Sequence, residues 1–153
     1  MTPPTTCGTD SEMKLPIALR EMPPRLSAGA FILHSGLEKR TVDEAHAKAL
    51  HGMAAGTYPV LRGQDPVEFV RLLSRAEIAV GTVLLLPLVP AAIAGAVLTA
   101  FSGGLLGIYL TTPGLRKPGS LAPTSDGLVI AKDVWMLGIG LGLLADAAER
   151  RRR

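Results

Sequence analysis

From Ile78 to Leu115 the chain carries no Asp, Glu, Lys, Arg or His, an apolar run of 38 residues. One helix of that length would measure about 57 Å, nearly twice a hydrocarbon core of about 30 Å. The run therefore reads as two membrane spans. Pro87 and Pro90 place the turn between them, because proline cannot continue the hydrogen-bond ladder of a helix. The first of the two has a clear start. Asp65 suits an N-cap, Pro66 the first helical position, and Glu68 stands three residues after the cap. The helix opened there carries Arg71, Arg75 and Glu77 before it turns wholly apolar, giving a span over about 70–89. The second span, about 91–110, carries Ala92, Ala96, Ala100 and Gly104 at strict four-residue spacing. That pattern predicts a small-residue face where helix backbones meet in lipid. Gly103 and Gly107 widen the face, and Tyr109 stands near its end, as interface aromatics do.

Two more apolar segments flank this pair. RLSAGAFILHSGL predicts a span over about 24–38, short for a membrane but bracketed by Arg25 and by Glu38, Lys39 and Arg40. GLVIAKDVWMLGIGLGLLA predicts the last span, 127–145, capped by Asp126 or Ser125 and given small packing faces by Gly138, Gly140 and Gly142. Between the first and second spans, residues 41–56 read as an amphipathic helix. Thr41 and Glu44 have capping-box spacing, and Val42, Ala45, Ala49 and Met53 share one face. His46 and His51 lie five apart, so they do not stack as a metal-binding pair. Residues 111–126 hold three prolines and two glycines and read as a loop. The expected fold is all-α: a four-helix transmembrane bundle over 15–149, with an amphipathic helix in the long first loop. A polar, disordered tail (1–14) precedes it and a basic anchor (150–153) follows.

Composition agrees with a membrane protein and removes several chemistries. Hydrophobic residues make up 48% and charged residues only 19%, with mean hydropathy +0.33; ordinary soluble domains carry about 25% charge. The lone cysteine, Cys7, excludes an internal disulfide, a CxxC pair and a thiolate metal site. No P-loop, HExxH or strand-linked GxGxxG is present. No metal is expected, and no Ser–His–Asp grouping can be argued. The net charge of +3 owes much to Arg150–Arg153. Such a terminal run beside a span anchors topology at anionic headgroups and is no nucleic-acid site. An even number of spans puts both termini on one side, and the arginines favour the cytoplasmic side of the cell membrane.

Relative topology brings the polar residues together. With four spans, His34, Lys39, Arg40, Arg75, Glu77, Lys132 and Asp133 share one membrane face with the 38–75 loop. The opposite face has the tight Pro87–Pro90 turn and no ionisable residue nearby within the spans. A charge deep in a span costs on the order of 2.5–3.5 kcal/mol, so such residues pair, meet water or face the bundle. Lys132 with Glu77, and Asp133 with Arg75 or His34, are the expected pairs. Each residue also has a plainer role. Lys132 can snorkel, Asp133 suits a helix start, Glu77 can sit at the headgroups and His34 at the interface. Trp135 reads as packing or as an interfacial anchor. As a group, Glu77, Lys132, Asp133, His34 and Arg75 predict a polar pocket open to one side.

Gly29-Ala30-Phe31 through Ser35-Gly36-Leu37-Glu38-Lys39 resembles the first-helix signature of the DoxX family. Tyr58-Pro59, Asp65-Pro66, Glu77 with Gly81, Phe101-Ser102-Gly103-Gly104 and Lys132-Asp133-Val134-Trp135 resemble an actinobacterial DoxX-like subgroup. The resemblance covers about residues 15–146 and implies a small four-helix membrane protein; some relatives are subunits of thiosulfate:quinone oxidoreductases. No cysteine lies within the spans, and no catalytic residue carries over. The expected function is an accessory or interaction subunit of a membrane complex, not an enzyme on its own. Its partner surface would be the 38–75 loop, and self-association is left open. The alternative is a quinone-linked redox subunit, with Lys132 or His34 donating to quinone oxygens and Glu77 or Asp133 relaying protons. A small-molecule transporter is the third reading. A lipid-accessible cleft leading to the cluster would separate a quinone-binding subunit from a sealed accessory bundle.

Overall fold

A computed structural model describes residues 19–152 of the 153; the 1–14 tail and Arg153 lie outside the described residues. Every regular element described is helical. They are α1 (Met22–Glu38), α2 (Glu44–Thr57), α3 (Pro66–Leu85), α4 (Ala91–Thr111), α5 (Leu128–Ala131) and α6 (Asp133–Arg152), with short 3₁₀ turns at Leu19–Glu21, Lys39–Thr41 and Pro59–Leu61. Two stretches, Ala91–Thr111 and Leu128–Arg152, are long and apolar enough to cross a membrane. Only 28% and 22% of their most apolar portions are buried within the chain, so most of that apolar surface faces outward. Helix α1 has 17 residues, and α3 carries its charges in its first three turns.

Helix ends follow the local chemistry. Asp65 accepts hydrogen bonds from the backbone N–H of Val67 (2.9 Å) and Glu68 (3.0 Å), the N-cap that its position before Pro66 predicts. The start of α2 differs from expectation. Asp43, not Thr41, caps it, accepting from the His46 N–H at 2.7 Å, while the Thr41 hydroxyl turns back to the Glu38 carbonyl. The α2 face also turns: Ala47, Ala54 and Ala55 are buried, with Leu50 and Met53 beside them, while Ala45 and Ala49 are exposed. The larger Leu50 and Met53 decide which side packs, because they have more apolar area to bury. The loop after α4 is ordered by Tyr109, whose hydroxyl donates to the Leu121 carbonyl, and by Thr124. The Thr124 hydroxyl, rather than Ser125 or Asp126, accepts the Gly127 N–H ahead of α5.

The helices pack as two antiparallel pairs, α1 with α3 and α4 with α6. Each pair has a backbone-close crossing. A Cβ on Gly81 would stand 2.7 Å from the Leu33 nitrogen, and one on Gly95 2.8 Å from the Gly140 carbonyl oxygen, so neither site admits a side chain. The expected Ala92–Ala96–Ala100–Gly104 face is not this contact. Ala96 and Ala100 are exposed, and α4 instead buries Ala91, Ala94, Gly95, Leu98 and Ser102. A four-residue stripe drifts around a 3.6-residue helix, so regular spacing alone does not say which side meets a partner. Of the three glycines in α6, only Gly140 packs closely; Gly138 and Gly142 face open space. Ala28, Ile32, Val80, Leu84, Ala94, Leu98 and Leu143 form the core that joins the two pairs.

Candidate functional site

All six helices meet at a cavity of about 240 Å³. Helix α1 contributes Phe31, Ile32 and Ser35; α2 contributes Leu50, Met53 and Ala54; α3 contributes Phe69, Leu73 and Glu77. Phe101, Leu105 and Ile108 come from α4, Val129 and Ile130 from α5, and Asp133 and Met136 from α6. Lys39, just past the end of α1, completes the lining. The wall is mostly apolar, and its charges are three: one ammonium and two carboxylates.

Local structure positions each of them. Lys39 stands one turn beyond Ser35, and its Nζ donates to the Ser35 Oγ at 2.7 Å and to the Glu77 Oε2 at 3.0 Å. Glu77 is only 4% exposed. Its place beside α1 is held by the close helix crossing there and by the Ser74 hydroxyl, which donates to the Gly36 carbonyl at 2.7 Å. Asp133 opens α6, where the helix N-terminus favours a carboxylate. It is 9% exposed, and among the described residues its carboxylate has no hydrogen-bond or ion-pair partner.

A second cavity of about 400 Å³ lies between α1 and α6 on the outer surface. It shares Phe31, Val129, Asp133 and Met136 with the first, and Asp133 stands at the boundary between the two. Phe31, Val129 and Trp135, all lining this groove, are large and exposed, Trp135 at 71%.

Of the five residues expected to cluster, the structure brings Glu77 and Asp133 together and leaves Lys132, His34 and Arg75 outside. Lys132 is exposed at the rim of the groove, so the expected Lys132–Glu77 pair is replaced by Lys39–Glu77. The reason is angular: adjacent helical residues point about 100° apart, so burying Asp133 turns Lys132 outward. Asp133 pairs with neither Arg75 nor His34. Arg75 is exposed in a shallow groove with Gln64, Glu68 and Arg71, and His34 is an exposed partner of Glu38 one turn on. Lys39 was legible as a neighbour of this face but not as the half-buried cation that pairs with Glu77. The Ser35-to-Lys39 spacing of one helical turn was its signal. Among the described residues, no group of three His, Cys, Asp or Glu could hold a metal ion.

The other end of the bundle corrects the expectation of an uncharged turn. Arg25 is 1% exposed and reaches the α3–α4 turn. Its Nε donates to the Leu84 carbonyl (2.9 Å), Nη1 to Val89 (2.9 Å), and Nη2 to Leu86 (2.8 Å) and Val83 (3.2 Å). The carbonyls of Val83, Leu84 and Val89 are left without backbone donors by the end of α3 and the Pro87–Pro90 turn, while that of Leu86 also accepts the Val89 N–H at 3.2 Å. Beside it Glu21 is also buried and pairs with Arg150, which bonds Asp146 as well, while Arg20 pairs with Asp146. Arg150 thus belongs to α6 and this cluster. Burial pushes the Glu21 carboxyl above its ordinary value; Asp146 adds to the rise and Arg150 opposes it.

Compared with known proteins, the chain matches no family model, no curated protein and no solved structure.

Proposed function

We propose that this chain is a small integral membrane protein of DoxX-like type, with α1, α3, α4 and the α5–α6 stretch embedded in the bilayer. In this reading it serves as the ligand-holding subunit of a membrane assembly. Its ligand is a small amphiphile whose head sits among Lys39, Glu77 and Asp133 and whose tail leaves between α1 and α6. The observation that carries the reading is Asp133, a buried carboxylate without a partner at the boundary between an apolar cavity and an outward groove. Buried polar groups are normally hydrogen-bonded, and intramembrane charges mark ligand or ion sites. Outward-facing Leu26, Phe31, Leu37, Ile93, Val134, Trp135 and Leu141 support the bilayer as solvent, since soluble monomers seldom expose such patches.

A groove that reaches the cluster is the feature that separates a ligand-holding bundle from a sealed accessory one. The quinone-linked subunit is the narrower form of this reading. The donor to a quinone oxygen would then be Lys39, because Lys132 and His34 lie outside the cavity and the Lys39 ammonium has three N–H groups. The test is native mass spectrometry with lipid extraction on protein purified gently from its own membranes. A stoichiometric small molecule is expected. Only bulk lipid together with a co-purifying protein would overturn the reading in favour of an accessory subunit, with the 38–75 segment as the surface to map.

A further inference from the structure

We infer that the occupant of this cavity is a lipophilic monocation, an amine-type head on an apolar body. The inference rests on the ligand-holding reading above and names the class of ligand. Three observations carry it. First, the charges lining the inner cavity do not balance: Lys39 supplies one positive charge, Glu77 and Asp133 two negative ones, with Lys132 adding a positive charge only out in the groove. Second, the ion pair inside is already made. The Lys39 ammonium is bound to Glu77 and Ser35, which leaves the carboxylate of Asp133, a residue 9% exposed, without a hydrogen bond from the described residues. An ionised carboxylate is acceptor-only, so its missing partner is a hydrogen-bond donor, and a cationic donor forms the stronger bond. Lys132 lines the same groove as Asp133 but, exposed at its rim, makes no hydrogen bond or ion pair with it.

Third, the remaining wall suits the body of such a molecule. Phe31, Phe69 and Phe101 line the cavity with aliphatic side chains from every helix, and aromatic faces attract cations, more strongly where water is excluded. The groove between α1 and α6 gives an apolar tail a way out past Phe31 and Met136. A neutral acceptor, such as a carbonyl, would leave the carboxylate unpartnered. An anion would add a third negative charge.

The experiment uses the full chain in nanodiscs of zwitterionic lipid and three probes with the same tail: decylammonium, decanol and decanoate. Stoichiometric binding is read by native mass spectrometry. The fluorescence of Trp135, the chain's single tryptophan and a residue of the groove, is the second readout. Decylammonium should bind about tenfold or more tighter than decanol, the scale of one charge-assisted hydrogen bond, and decanoate weakest. Asp133→Asn should remove that preference, Asp133→Glu keep it, and Lys132→Met leave it in place. Wild-type protein that binds decanol or decanoate as well as decylammonium would overturn the cation assignment while leaving a ligand-holding pocket. So would a preference that survives Asp133→Asn. The wild-type ranking alone decides the matter if Asp133→Asn fails to fold. Binding of none of the probes also overturns the assignment, and the lipid extraction then decides separately whether the cavity holds any small molecule.

Discussion

The two ends of the bundle handle buried charge in opposite ways. At the α3–α4 turn, the Arg25 guanidinium spends four hydrogen bonds on four backbone carbonyls. Its rigid fork of donors fits the end of a helix. At the other end Lys39 and Glu77 satisfy each other, and Asp133 looks into a cavity of about 240 Å³ without a partner. Both ends bury ionisable residues, so burial alone does not mark a site. What separates Arg25 from Asp133 is whether the chain itself supplies the partner, because a group left unsatisfied in a low-dielectric interior keeps its demand for one; Glu21, beside Arg25, likewise keeps one buried carboxylate oxygen without a hydrogen bond.

The sharpest way to break this comparison is to remove Arg25. Arg25→Met removes four hydrogen bonds and leaves three carbonyls without any donor, and should cost at least about 3 kcal/mol, seen as a large drop in thermal midpoint in detergent. Arg25→Lys should recover only part, since an ammonium cannot reach four carbonyls in a planar fork. A wild-type midpoint for Arg25→Met would show that the turn is held by its prolines alone. Next in size is the core. Leu98 is fully buried and Ala100 exposed, so Leu98→Ala should cost about 2–5 kcal/mol and Ala100→Leu little. The reverse order of midpoints would restore the four-residue alanine stripe as the packing face.

A smaller effect tests the site end. Lys39→Met and Glu77→Gln should couple by roughly 0.5–3 kcal/mol in a double-mutant cycle, while Lys132→Met and Glu77→Gln should add independently. Additive costs for Lys39 and Glu77 would dissolve the pair. The smallest expected effect is a pH dependence at the turn end. Glu21 titrates above its ordinary value in the folded chain, so the folded state holds its proton where the unfolded state has lost it. Stability should therefore fall as pH rises from the ordinary glutamate value through the raised one. Arg150, Asp146 and Arg25 face this carboxylate, with Arg20 paired to Asp146, and together they set the depth of the effect. Glu21→Gln should flatten the slope in pH-resolved thermal melts; an unchanged slope would assign it to other groups.

Local features were readable where a residue acts on its own backbone. The Asp65 cap and the two prolines of the turn are of this kind, because capping and the missing proline N–H need no knowledge of the rest of the chain. The amphipathic helix after the first apolar segment was legible as an element, but its face was not, since alanines at many positions leave the pattern ambiguous until Leu50 and Met53 find a surface. Two of the three charges of the cluster were legible too. Glu77 and Asp133 stood out because a charge in an apolar run needs a reason. Lys39 looked like a boundary marker, and Arg25 likewise, because a long cationic side chain at the end of an apolar segment usually reaches for water.

The sequence by itself determined that this chain is helical and that acidic residues interrupt its apolar segments; of the four spans expected from it, two stretches are long and apolar enough for a bilayer. Those properties follow from composition, period and local hydrogen-bond chemistry. Only the tertiary structure decided which cation meets which carboxylate. It turned Lys132 and Ala100 outward and Asp133, Lys39 and Arg25 inward, because helix rotation is set where backbones can approach, at Gly81 and Gly95. It also brought Arg25 to the α3–α4 turn. The carbonyls of Val83, Leu84 and Val89 lack backbone donors, and the residue that meets them lies some sixty positions earlier in the chain.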